Sequence, residues 1–319
     1  MKEKVVLLTG ASGFIGKAIQ KNLGDNNRIF GFRSIKYDLM NLNDCKKVLN
    51  DSNPDVVIHA AAWYGGIQFN KIHLAQMYYK NILMNTYLLE ACREYAEKKK
   101  NLIVLAIGSA CAYPGYKDGF LHESDLFDGP LNDSVLTYGF IKRALFIQGL
   151  SYHLQYGMRI IHPLLANVIG PGDTYEEERA HVVTALVKRF VEAKYKNESQ
   201  VVIWGTGQAE REFIHVNDVV SGIEFLLDNY KDYKDPINLG TGIGTKISEL
   251  TEIIKNVTRY SGKIVYDISK PDGTLKKTLN IDRIKKLGWR PKYTIEESIK
   301  EVVEDFINTH MKYRHRKNK

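Results

Sequence analysis

A tyrosine and a lysine, Tyr138 and Lys142, stand four residues apart in a stretch with a helical pattern. At that spacing both side chains project from the same face of a helix. A lysine ammonium near a phenol favours the phenolate, so we expect Lys142 to lower the pKa of Tyr138 toward a range useful for proton transfer. Such a pair is unremarkable by itself among 19 tyrosines. It therefore indicates acid–base chemistry only if the surrounding elements place it at a ligand.

A glycine-rich turn follows the first apolar run, Val5–Leu8, and leads into a helical pattern. Glycines at this position let the backbone turn tightly and approach a pyrophosphate, whose charge then lies at a helix N-terminus. The position between a strand and a helix makes the motif far more specific than its glycines alone. It predicts a dinucleotide site formed by Gly10, Ser12, Gly13, Phe14, Ile15 and Gly16.

The end of the second apolar run distinguishes between the two nicotinamide cofactors. An acidic residue here would bind the ribose 2′-hydroxyl of NAD, whereas a cation suits the 2′-phosphate of NADP. The chain has Arg33, with Lys36 nearby, and so favours NADP(H). The alternative is that Arg33 is only a solvated residue at a strand end.

Short apolar runs alternate with helical patterns through the first half. This alternation is typical of an α/β protein with a Rossmann-type, doubly wound parallel sheet that is covered on both faces. The predicted strands are Val5–Leu8, Arg28–Gly31, Val56–His59, Ile103–Ala106 and Arg159–Leu164, and the clearest helices are Lys71–Tyr95 and Thr137–Tyr156.

The pattern breaks near residues 169–173, and the elements that follow are mixed. We expect an NADP-binding domain over residues 1–167, completed by elements around 216–240, and a smaller mixed α/β substrate-binding domain over 168–319. The predicted elements of this half are helices at His181–Lys194, Val219–Leu227, Ile247–Tyr260 and Ile295–Thr309 and strands at Val201–Trp204, Glu212–His215 and Ile237–Leu239.

Composition excludes several classes of protein. The chain has 319 residues, of which 44% are hydrophobic and 26% charged, as in ordinary globular proteins. No apolar run approaches the roughly 20 residues of a membrane helix, and no signal-peptide core is present. The net charge of +8 includes five basic residues among the last eight, and no nucleic-acid-binding motif accompanies it. Three cysteines favour a reducing cytoplasm, and no metal-ligand spacing occurs.

The glycine spacing of Thr9–Gly16 resembles the TGxxGxxG motif of the extended short-chain dehydrogenases/reductases, and Ser109, Tyr138 and Lys142 follow in that family's order. The resemblance implies that Ser109 orients a carbonyl, Tyr138 donates a proton, and Lys142 holds both the tyrosine and the nicotinamide ribose. It also implies cofactor contacts from an acidic turn and a small-residue loop, namely Asp38, Leu39, Ala60, Ala61 and Ala62.

Further motifs resemble the GDP-L-fucose synthase family over nearly the whole chain. They are residues 65–70 (GGIQFN), 108–114 (GSACAYP), 181–186 (HVVTAL), 204–207 (WGTG) with 211–213 (REF), and 270–274 (KPDGT) with Lys277. The chain departs from the family at Ala110, where a serine or threonine is usual, and at residues 165–167 (LAN), where a Pro-Thr-Asn run is usual. Both departures lie beside the implied sugar site, so they bear on which sugar is bound more than on which reaction is catalysed.

This second resemblance implies acid–base roles for Cys111 and His181, which could instead be a small buried residue and a neighbour of a helix N-cap. It implies that Arg211 and Lys277 bind a diphosphate and that Trp204 packs on the nucleotide. A surface salt pair is the alternative for Lys277 and Arg189. The implied substrate-binding residues are Asn167, Val182, Leu186, Arg189, Trp204, Arg211 and Lys277.

The implied function is an NADPH-dependent 3,5-epimerase and 4-reductase of a GDP-4-keto-6-deoxy sugar, hexose or heptose. Two alternatives stay open: a plain 4-ketoreductase without epimerase activity, and a catalytically inactive NADP-binding regulator. A 4,6-dehydratase is disfavoured because Ala110 and Cys111 stand where those enzymes have an acidic pair. The family also implies a homodimer in which the Lys71–Tyr95 and Thr137–Tyr156 helices form a four-helix interface.

Overall fold

The structure is a computed structural model that describes residues 3–117, 119–270, 272 and 275–311, with only the backbone described at Ile67 and Gln68. The strands are β1 Val5–Thr9, β2 Arg28–Gly31, β3 Val56–His59, β4 Ile103–Ala106, β5 Gly108–Ser109, β6 Phe120–Leu121, β7 Arg159–Ile161, β8 Pro163–Leu165, β9 Asn167–Ile169, β10 Gln200–Trp204, β11 Glu210–His215, β12 Ile237–Leu239, β13 Gly244–Lys246, β14 Lys263–Asp267 and β15 Lys276–Leu279. The helices are α1 Phe14–Leu23, α2 Leu42–Ser52, α3 Ile67–Ile72, α4 Leu74–Lys98, α5 Leu136–Tyr156, α6 Val182–Tyr195, α7 Val216–Asn229, α8 Ile247–Thr258, α9 Asp282–Leu287 and α10 Ile295–Phe306.

The central sheet is parallel and has the strand order β2-β1-β3-β4-β7. Because the order reverses between β1 and β3, their carboxyl ends open a crevice at the switch point. Side chains alternate between the two faces. Val6 and Leu8 join the core on one face, whereas Leu7 joins the core on the other.

Helices cover both faces of this sheet, as predicted. Helices α2, α4 and α5 supply buried side chains such as Val48, Leu88 and Leu145 to one core, and α1 and α7 supply Ile19 and Ile223 to the other. The predicted α/β, doubly wound parallel fold is confirmed.

A second, smaller group of elements packs around its own core. Strands β9, β11, β13, β15 and β6 form a mixed sheet, and β10 pairs in parallel with β14. Helices α6, α8 and α10 bury residues such as Phe190, Ile254 and Phe306 together.

The later part of the chain returns to the first half. Strand β12 pairs in parallel with β8, and β8 pairs with β5, so these three strands form a small sheet of their own, in which β5 and β8 directly follow β4 and β7 in the chain. Helix α7 packs on the same core as α1. These contacts agree with the return expected around residues 216–240, and the domain division itself stays a prediction.

Two predicted elements are wrong as single units. The strand predicted at Arg159–Leu164 is interrupted at His162, because Pro163 lacks an amide hydrogen and starts β8 instead of continuing β7. The helix predicted at Lys71–Tyr95 is two helices that meet at His73, whose backbone leaves the helical region at φ −110° and ψ 34°. Within the described residues, no helix is long and apolar enough to cross a membrane. The basic residues 312–319 lie outside the described part of the chain.

Candidate active site

The glycine turn after β1 leaves no room for a side chain at Gly10 or at Gly16. Gly10 has φ +70°, and a Cβ there would lie 2.7 Å from the amide nitrogen of Ala61. A Cβ on Gly16 would lie 2.1 Å from the carbonyl oxygen of Gly10. Helix α1 begins at Phe14 after Gly13, and no side chain caps it. Its first amide groups can therefore bind an anion, as a cofactor pyrophosphate requires.

A buried chain of polar side chains fixes the loop that faces this turn. Thr9 Oγ1 lies 2.8 Å from Nδ1 of His59, and Nε2 of His59 lies 2.9 Å from Oδ1 of Asn85. Burial lowers the pKa of His59 to about 4, so the imidazole is neutral. The amide of Ala61 donates to Thr9 Oγ1 over 3.2 Å. This chain positions the small-residue loop of Ala60, Ala61 and Ala62.

The predicted adenosine contacts differ in how firmly they are held. Arg33 is exposed just beyond β2. Asp38 accepts from the amide of Met40 over 2.9 Å, and Leu39 is buried. Ser12 is exposed at the start of the glycine turn, while Phe14 and Ile15 are half-buried in the first turn of α1.

Tyr138 and Lys142 lie on the buried face of α5, with 8% and 6% of their surfaces exposed. Lys142 Nζ donates to the carbonyl of Ile107 over 2.6 Å and lies 5.6 Å from the centre of the Tyr138 ring. Ser109 lies beyond Ile107, and its hydroxyl accepts from the amide of Cys111 over 3.1 Å. The three predicted residues therefore meet at the carboxyl end of β4.

The expected lowering of the pKa of Tyr138 is not found. Burial raises the pKa of Tyr138 well above its ordinary value, and the thiol of Cys111 raises it further. Burial lowers the pKa of Lys142 to about 8, although Cys111 opposes this. Desolvation by burial is the largest cause of both pKa shifts. The phenol thus stays protonated, which is the form that a proton donor needs.

Cys111 lies on a short 3-10 turn, Ala110–Ala112, directly after Ser109, and is half-buried. Gly139 makes room for this turn, since a Cβ there would lie 2.4 Å from the carbonyl oxygen of Cys111. The thiol influences the pKa values of Tyr138 and Lys142 on one side and of Arg211 and Lys277 on the other. Cys111 is therefore within electrostatic range of residues from both halves.

His181 is the N-cap residue of α6, and its Nδ1 lies 3.1 Å from a carboxylate oxygen of Asp173. Its ring stacks on Tyr64 at 5.7 Å, and Tyr64 stacks on Tyr138 at 4.0 Å. These contacts bring His181 to the same region as Tyr138. Neither Asp173 nor Tyr64 was predicted as a site residue. The sequence signals near them were the glycine-rich turn before Asp173 and the motif at residues 65–70, which begins directly after Tyr64.

The two predicted diphosphate ligands are register partners: Arg211 on β11 lies beside Lys277 on β15. Burial lowers the pKa values of both side chains, and the charge of Arg211 lowers that of Lys277 further. Arg211 donates to the carbonyl of Glu210 over 2.8 Å and is also attracted by Asp272. Two neighbouring cations in a partly desolvated position suit an anionic ligand.

The remaining predicted substrate contacts are spread over the second half. Trp204 is 66% exposed at the end of β10, and Val182 is exposed at the start of α6. Arg189 donates to the carbonyl of Val202 over 2.6 Å, and Asn167 to that of Glu212 over 2.8 Å.

Leu186 is only 6% exposed and packs in the second core, which leaves little surface for a ligand. In the loop of residues 270–274, Asp272 accepts from the Thr206 amide over 2.7 Å, whereas Pro271, Gly273 and Thr274 lie outside the described residues. Among the described residues, no group of three or more His, Cys, Asp or Glu could hold a metal ion.

Comparison with known proteins identifies a family over residues 6–240, the NAD dependent epimerase/dehydratase family. The chain is 33% identical over 308 residues to a probable GDP-L-fucose synthase of Oryza sativa subsp. japonica, with 95% of this chain and 92% of that protein covered. It resembles the NADP-bound structure of a GDP-L-fucose synthetase from Naegleria fowleri with a TM-score of 0.87 and 27% identity, covering 98% of this chain and 95% of that one. A GDP-6-OMe-4-keto-L-xylo-heptose reductase from C. jejuni superimposes with a TM-score of 0.87 and 25% identity, covering 97% of this chain and 99% of that one.

Proposed function

Since this chain belongs to the NAD dependent epimerase/dehydratase family, we propose that it is an NADPH-dependent 3,5-epimerase and 4-reductase of a GDP-4-keto-6-deoxy sugar. The sugar is a hexose or a heptose. One observation carries the proposal: Cys111 is within electrostatic range of both the buried pair Tyr138 and Lys142 and the paired cations Arg211 and Lys277. A reactive carbonyl bound there would lie near a proton donor while its diphosphate met two cations.

Reduction of the 4-keto group uses the residues at the end of β4. The glycine turn at Gly10 and Gly16 and the exposed cation of Arg33 fit NADPH, which supplies a hydride when bound. Tyr138 is protonated and gives its proton to the carbonyl oxygen as the hydride adds to C4. Ser109 orients that oxygen. Lys142, held by the carbonyl of Ile107, stabilises the phenolate that remains.

Epimerisation precedes reduction. The 4-keto group acidifies the hydrogens on C3 and C5, so that a modest base can remove one, and inversion requires return of a proton to the opposite face. We assign these roles to Cys111 and His181, which come from separate segments. Asp173 holds the His181 ring through a hydrogen bond. An imidazole and a thiol are both groups that can take up and return a proton.

The GDP moiety would lie across the second half. Arg211 and Lys277 bind the diphosphate, and the exposed indole of Trp204 offers a flat surface to the base. Asn167, Val182 and Arg189 border the same side of the site.

Two further proposals concern assembly and location. Helices α4 and α5 expose large apolar side chains, among them Tyr78 and Phe140, whose rings stack on each other at 6.2 Å. We propose that this face forms the four-helix interface of a homodimer. A cytoplasmic location is supported by three cysteines without a disulfide.

Deuterium exchange tests the epimerase assignment. In D₂O with NADP⁺ bound, hydride transfer cannot proceed, and the wild type should exchange deuterium into C3 and C5 of a GDP-4-keto-6-deoxy sugar. Cys111→Ala and His181→Asn should each lose exchange by about 100-fold or more, the usual scale of acid–base catalysis. Both should still reduce the ketone when NADPH is supplied. The matched control is Cys92→Ala, which removes the thiol of a buried cysteine of α4.

The results separate the open alternatives. If the wild type reduces the ketone but exchanges no deuterium at either carbon, the protein is a plain 4-ketoreductase. Of the two alternatives, the plain 4-ketoreductase is the one that the structural likeness to a GDP-heptose reductase supports. Tight NADPH binding with neither reaction would instead identify a catalytically inactive NADP-binding regulator.

A further inference from the structure

Three aromatic rings form a continuous stack across the site. The Tyr64 ring lies between Tyr138 and His181, at centroid distances of 4.0 Å and 5.7 Å and interplanar angles of 25° and 26°. Tyr138 belongs to α5 and His181 to the start of α6. Tyr64 is thus the one described ring that contacts both the proposed donor for reduction and a proposed acid–base group for epimerisation.

The backbone around Tyr64 is held on both sides. Asn81 of α4 accepts from the amide of Trp63 and donates to its carbonyl, each over 2.9 Å. Arg179 donates to the carbonyl of Tyr64 over 3.4 Å. The loop that carries Tyr64 is therefore anchored to α4 and also to the segment that leads into His181.

Close backbone contact joins the same loop to that segment. The amide of Gly66 donates to the carbonyl of Arg179 over 3.1 Å, and a Cβ on Gly66 would lie 2.5 Å from the carbonyl oxygen of Ala180. A hydrogen bond between the side chains of His73 and Glu178, at 2.8 Å, reinforces the contact. The position of His181 is consequently tied to the loop, and the Tyr64 ring fills the space between His181 and Tyr138.

We propose that Tyr64 is a positioning residue that sets the separation and ring orientation of His181 relative to Tyr138, so that one bound sugar meets both groups. The inference rests on the proposed epimerase–reductase function.

The two ends of the stack differ in how much they depend on Tyr64. Tyr138 projects from a 21-residue helix and is buried against Met77 and Ile141. His181 lies at a helix end, where its ring is hydrogen-bonded to Asp173 and is partly exposed. Loss of the Tyr64 ring should therefore displace His181 more than Tyr138, and proton exchange should suffer more than hydride transfer.

The test compares Tyr64→Phe, Tyr64→Val and the control Trp63→Leu. The control removes from the same loop an aromatic ring whose ring contacts are to Phe69 and His73 and not to Tyr138 or His181. Deuterium exchange at C3 and C5 is measured with NADP⁺ bound, and hydride transfer is measured separately in a single turnover with NADPH. Tyr64→Phe keeps the stack and should exchange within about threefold of the wild type. Tyr64→Val should lose exchange by about 100-fold, the scale of a misplaced catalytic group, with a smaller loss in hydride transfer.

An NMR measurement provides a readout that does not depend on activity. The His181 ring protons should show an upfield ring-current shift in the wild type, Tyr64→Phe and Trp63→Leu, and should lose it in Tyr64→Val. Equal exchange and unchanged His181 signals in Tyr64→Val would overturn the positioning role. Equal losses in Tyr64→Phe and Tyr64→Val would assign the effect to the hydroxyl and also overturn it. A wild type that shows the ring-current shift but no exchange would refute the epimerase function and leave the stack in place.

Discussion

The two halves of the site differ in how firmly their side chains are held. On the cofactor side, Tyr138 and Lys142 are buried, and a hydrogen bond to the end of β4 fixes the lysine. On the substrate side, Trp204 and Val182 are largely exposed at the ends of their elements. The side chains of one half are enclosed by the protein, whereas much of the other half offers open surface.

This difference follows from what each half must recognise. The residues proposed to act on the carbonyl are enclosed where α5 packs at the carboxyl end of β4, so Tyr138 and Lys142 are buried. A nucleotide and a sugar present a long polar ligand, which is recognised at strand ends and loops. Arg211 and Lys277 are intermediate, since they are partly buried but lie on the strands of the smaller sheet. The following substitutions test this comparison.

The largest effect is expected at the buried proton donor. Tyr138→Phe keeps the ring in its stack on Tyr64 but removes the hydroxyl. Reduction should fall by about 10²–10⁴-fold, the range of general acid catalysis, while NADPH affinity should barely change. Stopped-flow NADPH oxidation gives the rate. Tyr152→Phe, on the same helix but bonded to Glu90, is the control. A near-normal rate of NADPH oxidation in Tyr138→Phe would show that this buried tyrosine is not the proton donor.

A smaller loss is expected at the paired cations. Lys277→Met removes one of two adjacent charges and should weaken GDP-sugar binding by about 2–5 kcal/mol, with little change in NADPH binding. Calorimetric titration with GDP measures the effect. Lys276 is the adjacent residue on the same strand and pairs with Glu210, so Lys276→Met should leave GDP binding unchanged. Equal losses of GDP binding in Lys277→Met and Lys276→Met would indicate that positive charge in this region attracts GDP in general, and that Lys277 is not a specific diphosphate ligand.

The smallest effect is expected at the exposed arginine of the cofactor side. Arg33→Asp should weaken NADPH binding by about 1–3 kcal/mol, the scale of a lost charge-assisted hydrogen bond, and should affect NADH much less. Fluorescence titration with both cofactors measures this difference. Arg28→Asp changes an exposed arginine at the other end of β2 and is the control. The same change for both cofactors would exclude a 2′-phosphate contact.

Most of the central sheet could be predicted because its strands are continuous apolar runs. Three predicted strands, Arg28–Gly31, Val56–His59 and Ile103–Ala106, agree with the structure at both ends. The break at His73 could not be predicted, because no glycine or proline marks it. It coincides with contacts to distant residues, including Glu178 and the Trp63 ring. Periodicity in one segment carries no information about such partners.

The site shows the same limit. Spacing alone placed Tyr138 and Lys142 on one helix face, but it could not foresee that burial would raise the pKa of Tyr138 and lower that of Lys142. The motif resemblance named Arg211 and Lys277, whereas only the register of β11 and β15 places them side by side. Tyr64 escaped notice because an aromatic residue before two glycines looks like any loop residue. Its importance lies in contacts to rings 74 and 117 positions further along the chain.

The pairing of β12 with β8 has a consequence for protein synthesis. The strand that completes this sheet edge begins 72 residues after the end of β8, at Ile237. At about 5–20 residues per second, a ribosome needs roughly 4–14 seconds to add that stretch. Until then the nascent sheet presents an edge with unpaired amide and carbonyl groups, which can pair with other chains. Those seconds of translation are the period when association between nascent chains competes most directly with folding.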